Sequence, residues 1–177
     1  QTQVHWMERN SDCQICYTDE IWIRKGVRVN PMVKHQKYSG NIFRHCLPLC
    51  IVSPSSVMFR SGLLNEIGNF DESLPVCEDY DLWLRIAMRY RFHFIEQPLV
   101  IKYGGHEDQL SRKYWGMDRF RVAALKKLLD LNLLEGEHLH LTRSTLVKKC
   151  SILIQGFVKR GKKNDELRYR ALIEKYG

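Results

Sequence analysis

The sequence predicts an α/β layer over about the first 112 residues, followed by an all-helical C-terminal appendage. Before residue 113, short apolar runs alternate with turn residues and with one amphipathic helix. After Tyr114, apolar residues recur at helical spacing almost to the end of the chain. A length of 177 residues suits one domain with a short appendage. We therefore divide the chain into residues 1–113 and residues 114–177.

The first fifty residues are predicted to contain a helix end, a hairpin and a long loop. Apolar and polar side chains alternate between Ile15 and Ile23, as in a half-buried strand, and Gly26 marks a turn. The predicted elements are, in order, a helix over residues 3–10, a strand over 15–23, a return strand from 27, and a loop over 30–50 with a short helix near 39–46.

The remaining elements alternate until the helical tail begins. Ser61 can cap a short helix that ends at Gly68. A longer helix over residues 78–91 has an apolar stripe that includes Trp83 and Ile86. We predict strands over residues 57–59, 92–95 and 99–103, and tail helices over residues 115–134, 142–160 and 164–176.

The net charge of +8 is concentrated in the last thirty residues. Such a balance suits nucleic acid, acidic lipid or a phosphorylated substrate. No zinc-finger or RNP-type motif is present, so we expect no nucleic-acid partner. The tail cations form either a solvated helical face or a patch that contacts a membrane or a partner: Lys148, Lys149, Lys159, Arg160, Lys162, Lys163, Arg168, Arg170 and Lys175.

An apolar stripe lies between these tail cations. It consists of Ile152, Leu153 and Phe157. We expect it to pack against the apolar residues of the last helix, which are Leu167, Ala171 and Leu172. The alternative is that the stripe lies at a membrane surface.

Two cysteine pairs have spacings that also occur in zinc sites, Cys13 with Cys16 and Cys46 with Cys50. Residues three apart on a strand point to opposite faces, so the first pair could not hold one ion. Free cysteine is common in protein cores. We therefore expect reduced cysteines, which are typical of a cytoplasmic protein.

Two polar clusters are candidates for chemistry. Glu78, Asp79 and Asp81 crowd the start of a predicted helix, where carboxylates also interact favourably with the helix dipole. The apolar residues just before them indicate a partly closed cleft. The second cluster, from His106 to Arg112, follows a predicted strand and a Gly-Gly break, and functional residues are common on such loops.

Three linked segments resemble the second half of family 2 glycosyltransferases. They are Ser-Ser-Val-Met-Phe-Arg at residues 55–60, Ile-Gly-Asn-Phe-Asp-Glu at 67–72, and Glu-Asp-Tyr-Asp-Leu-Trp-Leu-Arg at 78–85. The resemblance covers about residues 1–112. It implies a partial GT-A sheet, of the nucleotide-diphospho-sugar transferase type, before the helical appendage. It also implies inverting transfer of a sugar from a nucleotide-sugar donor to an acceptor hydroxyl, in cell-envelope polysaccharide biosynthesis.

The resemblance assigns roles to individual residues. Asp79 matches the family's catalytic base, which takes the proton of the acceptor hydroxyl, and Glu78 would tune or position it. His106 matches a metal or diphosphate contact, with an ordinary loop histidine as the alternative. Ser111 and Arg112 are expected near the donor diphosphate. The implied ligands are a divalent metal (Mg²⁺ or Mn²⁺), a nucleotide sugar, and a glycan or lipid-linked acceptor.

The sequence departs from the family in one respect. The family's Asp-x-Asp metal motif is not found before Cys13, and Asp79-Tyr80-Asp81 belongs to the base motif by its context. We therefore expect a nucleotide-binding half upstream in the parent protein. The alternative function is a non-catalytic fragment or binding module that docks on a membrane or partner through its basic tail. The expected location is cytoplasmic, peripheral at the inner face of the membrane if the tail binds lipid.

Overall fold

The chain forms an α/β layer with a mixed four-stranded sheet, in agreement with the predicted fold class. The structure is a computed structural model that describes residues 1–30, 32–104 and 113–177. Its strands are β1 (Ile15–Arg24), β2 (Val27–Val29), β3 (Val57–Phe59) and β4 (Phe92–Gly104). Its α-helices are α1 (Thr2–Arg9), α2 (Phe43–Cys46), α3 (Leu63–Ile67), α4 (Glu78–Ala87), α5 (Asp118–Asp130), α6 (Gly136–Lys159) and α7 (Lys163–Tyr176), and short 3₁₀ turns cover Val33–His35 and Pro54–Ser56.

The long strand β1 organises the sheet. It pairs in parallel with β4 along its whole length, and antiparallel with β3 at one end and with β2 at the other. The prediction of two short strands over residues 92–95 and 99–103 is wrong, because β4 is one strand. Pro98 has no N–H to donate, but the register between β1 and β4 shifts beside its partner Asp19 and pairing then resumes.

Helix α4 lies at the centre of the structure and is buried on more than one side. Trp83 and Ile86 of the predicted stripe are buried, but so are Leu82, Leu84 and even Asp81. The predicted one-sided stripe is therefore too narrow. Contacts with α2 on one side and with α5 of the appendage on another explain the difference.

Other element boundaries differ from the predictions by a few residues. Helix α4 ends at Ala87, four residues before the predicted end, and α6 begins at Gly136, six residues before the predicted start. Helix α3 begins at Leu63 without a side-chain cap, so the predicted cap by Ser61 is wrong. Gly68 ends α3 with a positive φ of 85°, a conformation that glycine adopts readily.

One hydrophobic core joins the sheet, α4 and the appendage. It includes Ile15 of β1, Trp83 of α4, Leu125 of α5 and Phe157 of α6. Phe157 also packs against Tyr169 of α7, with ring centroids 5.4 Å apart. No helix in the described ranges is long and apolar enough to cross a bilayer.

The predicted tail stripe is only partly correct. Leu153 and Phe157 are buried, but Ile152 and Leu167 are 51% and 52% exposed, so these two do not belong to the packed interface. Lys149, which was assigned to the exposed basic face, is buried. The buried face of α6 therefore includes Lys149 and excludes Ile152, which differs from the predicted face. The reason is that α6 packs against both α5 and α7.

Candidate functional site

Glu78 and Asp79 begin α4 and are both partly exposed. The residue before them, Cys77, has the left-handed conformation φ 66°, ψ 18°, although it carries a side chain. Such a conformation costs on the order of 1 kcal/mol and is common near functional sites. The sharp turn at Cys77 brings the chain into the helix with three carboxylates in its first turn, those of Glu78, Asp79 and Asp81, where the helix dipole favours negative charge.

The segment of residues 47–52 is held against the first turns of α4. The Tyr80 hydroxyl donates a hydrogen bond of 2.6 Å to the carbonyl oxygen of Leu47, and the Trp83 indole N–H donates one of 3.0 Å to that of Val52. Both aromatic side chains are almost fully buried. These two bonds fix both ends of the segment, and Cys50 lies between them.

Cys50 contacts the predicted base directly. Its Sγ lies 3.3 Å from Oδ2 of Asp79, and also 3.1 Å from the carbonyl oxygen of Val52. Burial, reinforced by the neighbouring Asp79 carboxylate, raises the pKa of the Cys50 thiol well above its ordinary value. The thiol therefore stays protonated, and its single proton can be donated either to Asp79 Oδ2 or to the Val52 carbonyl oxygen. Oδ1 of Asp79 accepts a 2.7 Å hydrogen bond from the Tyr80 amide, so two donors orient this carboxylate.

Asp81 has a different environment from Asp79. Its Oδ2 accepts hydrogen bonds of 2.9 Å from Arg85 Nε and 3.1 Å from Lys127 Nζ, and its side chain is only 2% exposed. Arg85 also donates to the carbonyl oxygens of Ile67 and Asn69, at 2.7 Å and 2.8 Å. Arg85 thus ties α4 to the turn after α3.

The helical appendage supports the segment of residues 47–52. Lys149 Nζ of α6 donates to the Pro48 carbonyl oxygen at 2.8 Å and to Asp118 Oδ1 at 2.9 Å. Burial lowers the pKa of Lys149, and the Asp118 carboxylate opposes this shift. Burial alone would raise the pKa of Asp118, but hydrogen bonds from Lys149 and Arg121 outweigh it and the net shift is downward. The Lys149–Asp118 ion pair is thus hydrogen-bonded to Pro48, two residues before Cys50 in the chain.

A second charge cluster contacts the residue that follows this segment. Glu20 of β1 is 3.3 Å from Lys37 Nζ and 3.6 Å from Lys102 Nζ, with a side chain only 3% exposed. Lys102, near the end of β4, also hydrogen-bonds to Ser53, which directly follows the segment. This contact connects β4 to the residue that follows the segment of residues 47–52.

The structure therefore brings together Glu78 and Asp79, adds Cys50, and assigns Asp81 to structural support. His106, Ser111 and Arg112 lie outside the described residues, so their predicted roles stay predictions. Among the residues that the structure describes, no group of three His, Cys, Asp or Glu side chains could hold a metal ion. All six cysteines are free thiols.

Sequence reasoning missed both Cys50 and Lys149. Cys50 was considered only as part of a zinc-like spacing, and Lys149 only as part of a basic face. No local pattern marks either residue, since Cys50 is 29 positions from Asp79 and Lys149 is 101 positions from Pro48.

Comparison with known proteins relates the chain to proteins named as glycosyltransferases. No protein-family model and no solved structure matches it. A Rickettsia felis protein named uncharacterized glycosyltransferase is 36% identical over 69 residues, which make up 38% of this chain and 11% of that protein. A Rickettsia conorii protein with a similar name is 35% identical over the same shares. A third so named, from Methanocaldococcus jannaschii, is 29% identical over 114 residues, 62% of this chain and 39% of that protein.

The chain thus spans well under half the length of each of these relatives, 11% of the two Rickettsia proteins and 39% of the archaeal one.

Proposed function

We propose that the chain is the acceptor-side, C-terminal part of an inverting glycosyltransferase of family 2 with a GT-A fold. Its similarity to three proteins named glycosyltransferases supports this activity in general. The mixed sheet with helices is compatible with part of a nucleotide-binding fold. The observation that carries the proposal is the Asp79 carboxylate, which is partly exposed at a helix N-terminus and oriented by two hydrogen-bond donors.

In the proposed reaction Asp79 is the general base. It takes the proton of an acceptor hydroxyl while that oxygen forms a bond to the anomeric carbon of a nucleotide sugar. The bond from that carbon to the nucleotide diphosphate breaks at the same time, and the diphosphate leaves with the electron pair. Cys50 and the Tyr80 amide hold the carboxylate in one orientation. Glu78, in the same helical turn, is proposed to tune or position it.

The donor side of the reaction rests on the family resemblance. The proposed donor is a nucleotide sugar, and the proposed acceptor is a glycan or a lipid-linked hydroxyl. A divalent metal, Mg²⁺ or Mn²⁺, would supply charge stabilisation to the leaving diphosphate. Its proposed ligands are His106 and residues of a nucleotide-binding half, and Ser111 and Arg112 would contact the diphosphate.

Asp79→Asn in the full-length enzyme tests the proposal. The substitution keeps the shape of the side chain but removes the base, so turnover should fall at least about a hundredfold, with donor binding nearly unchanged. Glu72→Gln is the matched control, because Glu72 is an exposed carboxylate in the turn before α4. Near-normal turnover of Asp79→Asn would remove Asp79 from the role. A non-catalytic binding module, the alternative function, would show no turnover even with Asp79 intact.

A further inference from the structure

An exposed patch of the helical appendage combines two apolar side chains with five cations. Trp115 and Ile152 are 49% and 51% exposed. Lys148 and Lys159 lie four residues before and seven residues after Ile152 on α6, and therefore on the same face of the helix. We call this surface the Trp115 patch, and its members are Trp115, Ile152, Arg119, Lys148, Lys159, Arg160 and Lys162.

Three of the cations are gathered around the indole of Trp115. The guanidinium carbon of Arg119 lies 3.7 Å from the ring centroid, Lys162 Nζ lies at 5.0 Å and the Arg160 guanidinium carbon at 5.9 Å. None of the five cations of the patch pairs with a carboxylate of residues 1–30, 32–104 or 113–177. The charge of the patch is therefore not neutralised by the described part of the chain.

A cavity of about 410 Å³ opens within the patch. Trp115, Ile152, Gly156 and Arg160 line it, together with Arg121, whose buried Nε has no hydrogen-bond partner among the described residues. A Cβ on Gly156 would lie only 2.6 Å from a guanidinium nitrogen of Arg160, so glycine lets this side chain lie close over α6. The carboxylate of Asp118 on the cavity wall is already paired with Lys149 and Arg121. Within the described ranges, the Nε of Arg121 and the guanidinium of Arg160 are therefore available as positive donors to a phosphate group.

We infer that the Trp115 patch binds the surface of an anionic phospholipid membrane. Tryptophan is favoured at the boundary between headgroups and acyl chains, and Ile152 adds apolar area beside it. The surrounding cations match the negative surface of such a membrane. A nucleic-acid base is a poorer fit, because it would have to displace the Arg119 guanidinium from the indole face before stacking there. The inference does not depend on the proposed transferase activity.

Co-sedimentation of the chain with phosphatidylcholine vesicles, with and without phosphatidylglycerol, tests the inference. Binding should require phosphatidylglycerol and should weaken at high salt. Arg160→Ala combined with Lys162→Ala should weaken it about thirtyfold, because each basic residue near an anionic leaflet contributes a factor of about five. The control is Arg28→Ala with Lys34→Ala, which removes the same charge from exposed positions outside the appendage and should change binding less than about twofold.

The apolar part of the patch is tested separately. Trp115→Ala and Ile152→Ser should each weaken binding about fivefold through lost apolar burial. Ile152→Ser keeps the test valid if Trp115→Ala loosens the fold, because Ile152 is on the exposed face of α6. Equal binding to neutral and anionic vesicles, or a double variant that binds like its control, overturns the inference. Tight binding of single-stranded RNA that the same variants abolish, without vesicle binding, also overturns it and makes the patch a nucleic-acid surface.

Discussion

Replacing Arg85 by methionine should destabilise the chain by about 3 kcal/mol, because this residue connects α4 to the turn after α3. Its side chain is only 10% exposed, and it pairs with Asp81 at 2.9 Å. Methionine retains most of the apolar stem but donates no hydrogen bond. The buried Asp81 carboxylate would then keep only one of its two cationic partners, Lys127.

The magnitude follows from the surroundings of Asp81. Removing one partner of a buried ion pair costs about 3–5 kcal/mol, because a charge is left uncompensated. Lys127 still lies 3.1 Å from Asp81, with a side chain 38% exposed, so the lower end of this range applies. Water can reach the carbonyl oxygens that Arg85 leaves at Gly68 and Asn69, because those bonds are exposed. The loss of these two bonds therefore adds little, whereas the loss of the part-buried bond to the Ile67 carbonyl oxygen contributes to the total of about 3 kcal/mol.

The assay is thermal and urea unfolding followed by circular dichroism. For a chain of this size, a decrease of about 3 kcal/mol in the free energy of unfolding lowers the midpoint of thermal unfolding by about 6–12 °C. Arg89→Met is the matched control, one turn further along: its ion pair with Glu66 joins side chains 45% and 49% exposed, so the cost should stay below about 1 kcal/mol. Arg85→Lys should restore only part of the stability, since lysine lacks the planar fork. If Arg85→Met costs no more than Arg89→Met, the anchoring argument is wrong.

Two further predictions concern Asp71 and Cys50. The hydrogen bond from Lys127 lowers the pKa of Asp71 to about 2, so its contribution is present above about pH 4 and is lost as the pH falls towards about 2. Asp71→Asn should therefore cost about 1 kcal/mol near neutral pH, after allowance for solvent screening, and much less near pH 2, where protonation removes most of this contribution. A pH-independent difference in urea unfolding would contradict this. In the full-length enzyme, Cys50→Ala should lower turnover about fivefold by removing a donor to Asp79, and Cys50→Ser should retain most of it. Turnover of Cys50→Ala equal to that of the wild type, with Asp79→Asn inactive, would exclude this role.

Local sequence patterns were sufficient to predict the elements that depend on neighbouring residues. Alternating side chains predicted β1, and the turn at Gly26 predicted the hairpin to β2. Helical spacing predicted three tail helices, although their ends moved by several residues. Pattern alone could not show that β4 runs through Pro98, because that depends on a register shift in the partner strand.

By itself, the sequence determined the α/β layer, the helical tail and a pair of carboxylates at the start of α4. The spacing of apolar and charged side chains is a property of neighbouring residues, so it can be read along the chain. Only the tertiary structure showed that the two carboxylates have different environments. Asp79 accepts a hydrogen bond from Cys50, whereas Asp81 is buried with Arg85 and Lys127. The tertiary structure also moved Lys149 from a presumed basic surface into an ion pair beneath the site. The physical reason is that burial and charge pairing depend on residues many positions away, which meet only when α4, α5 and α6 pack into one core.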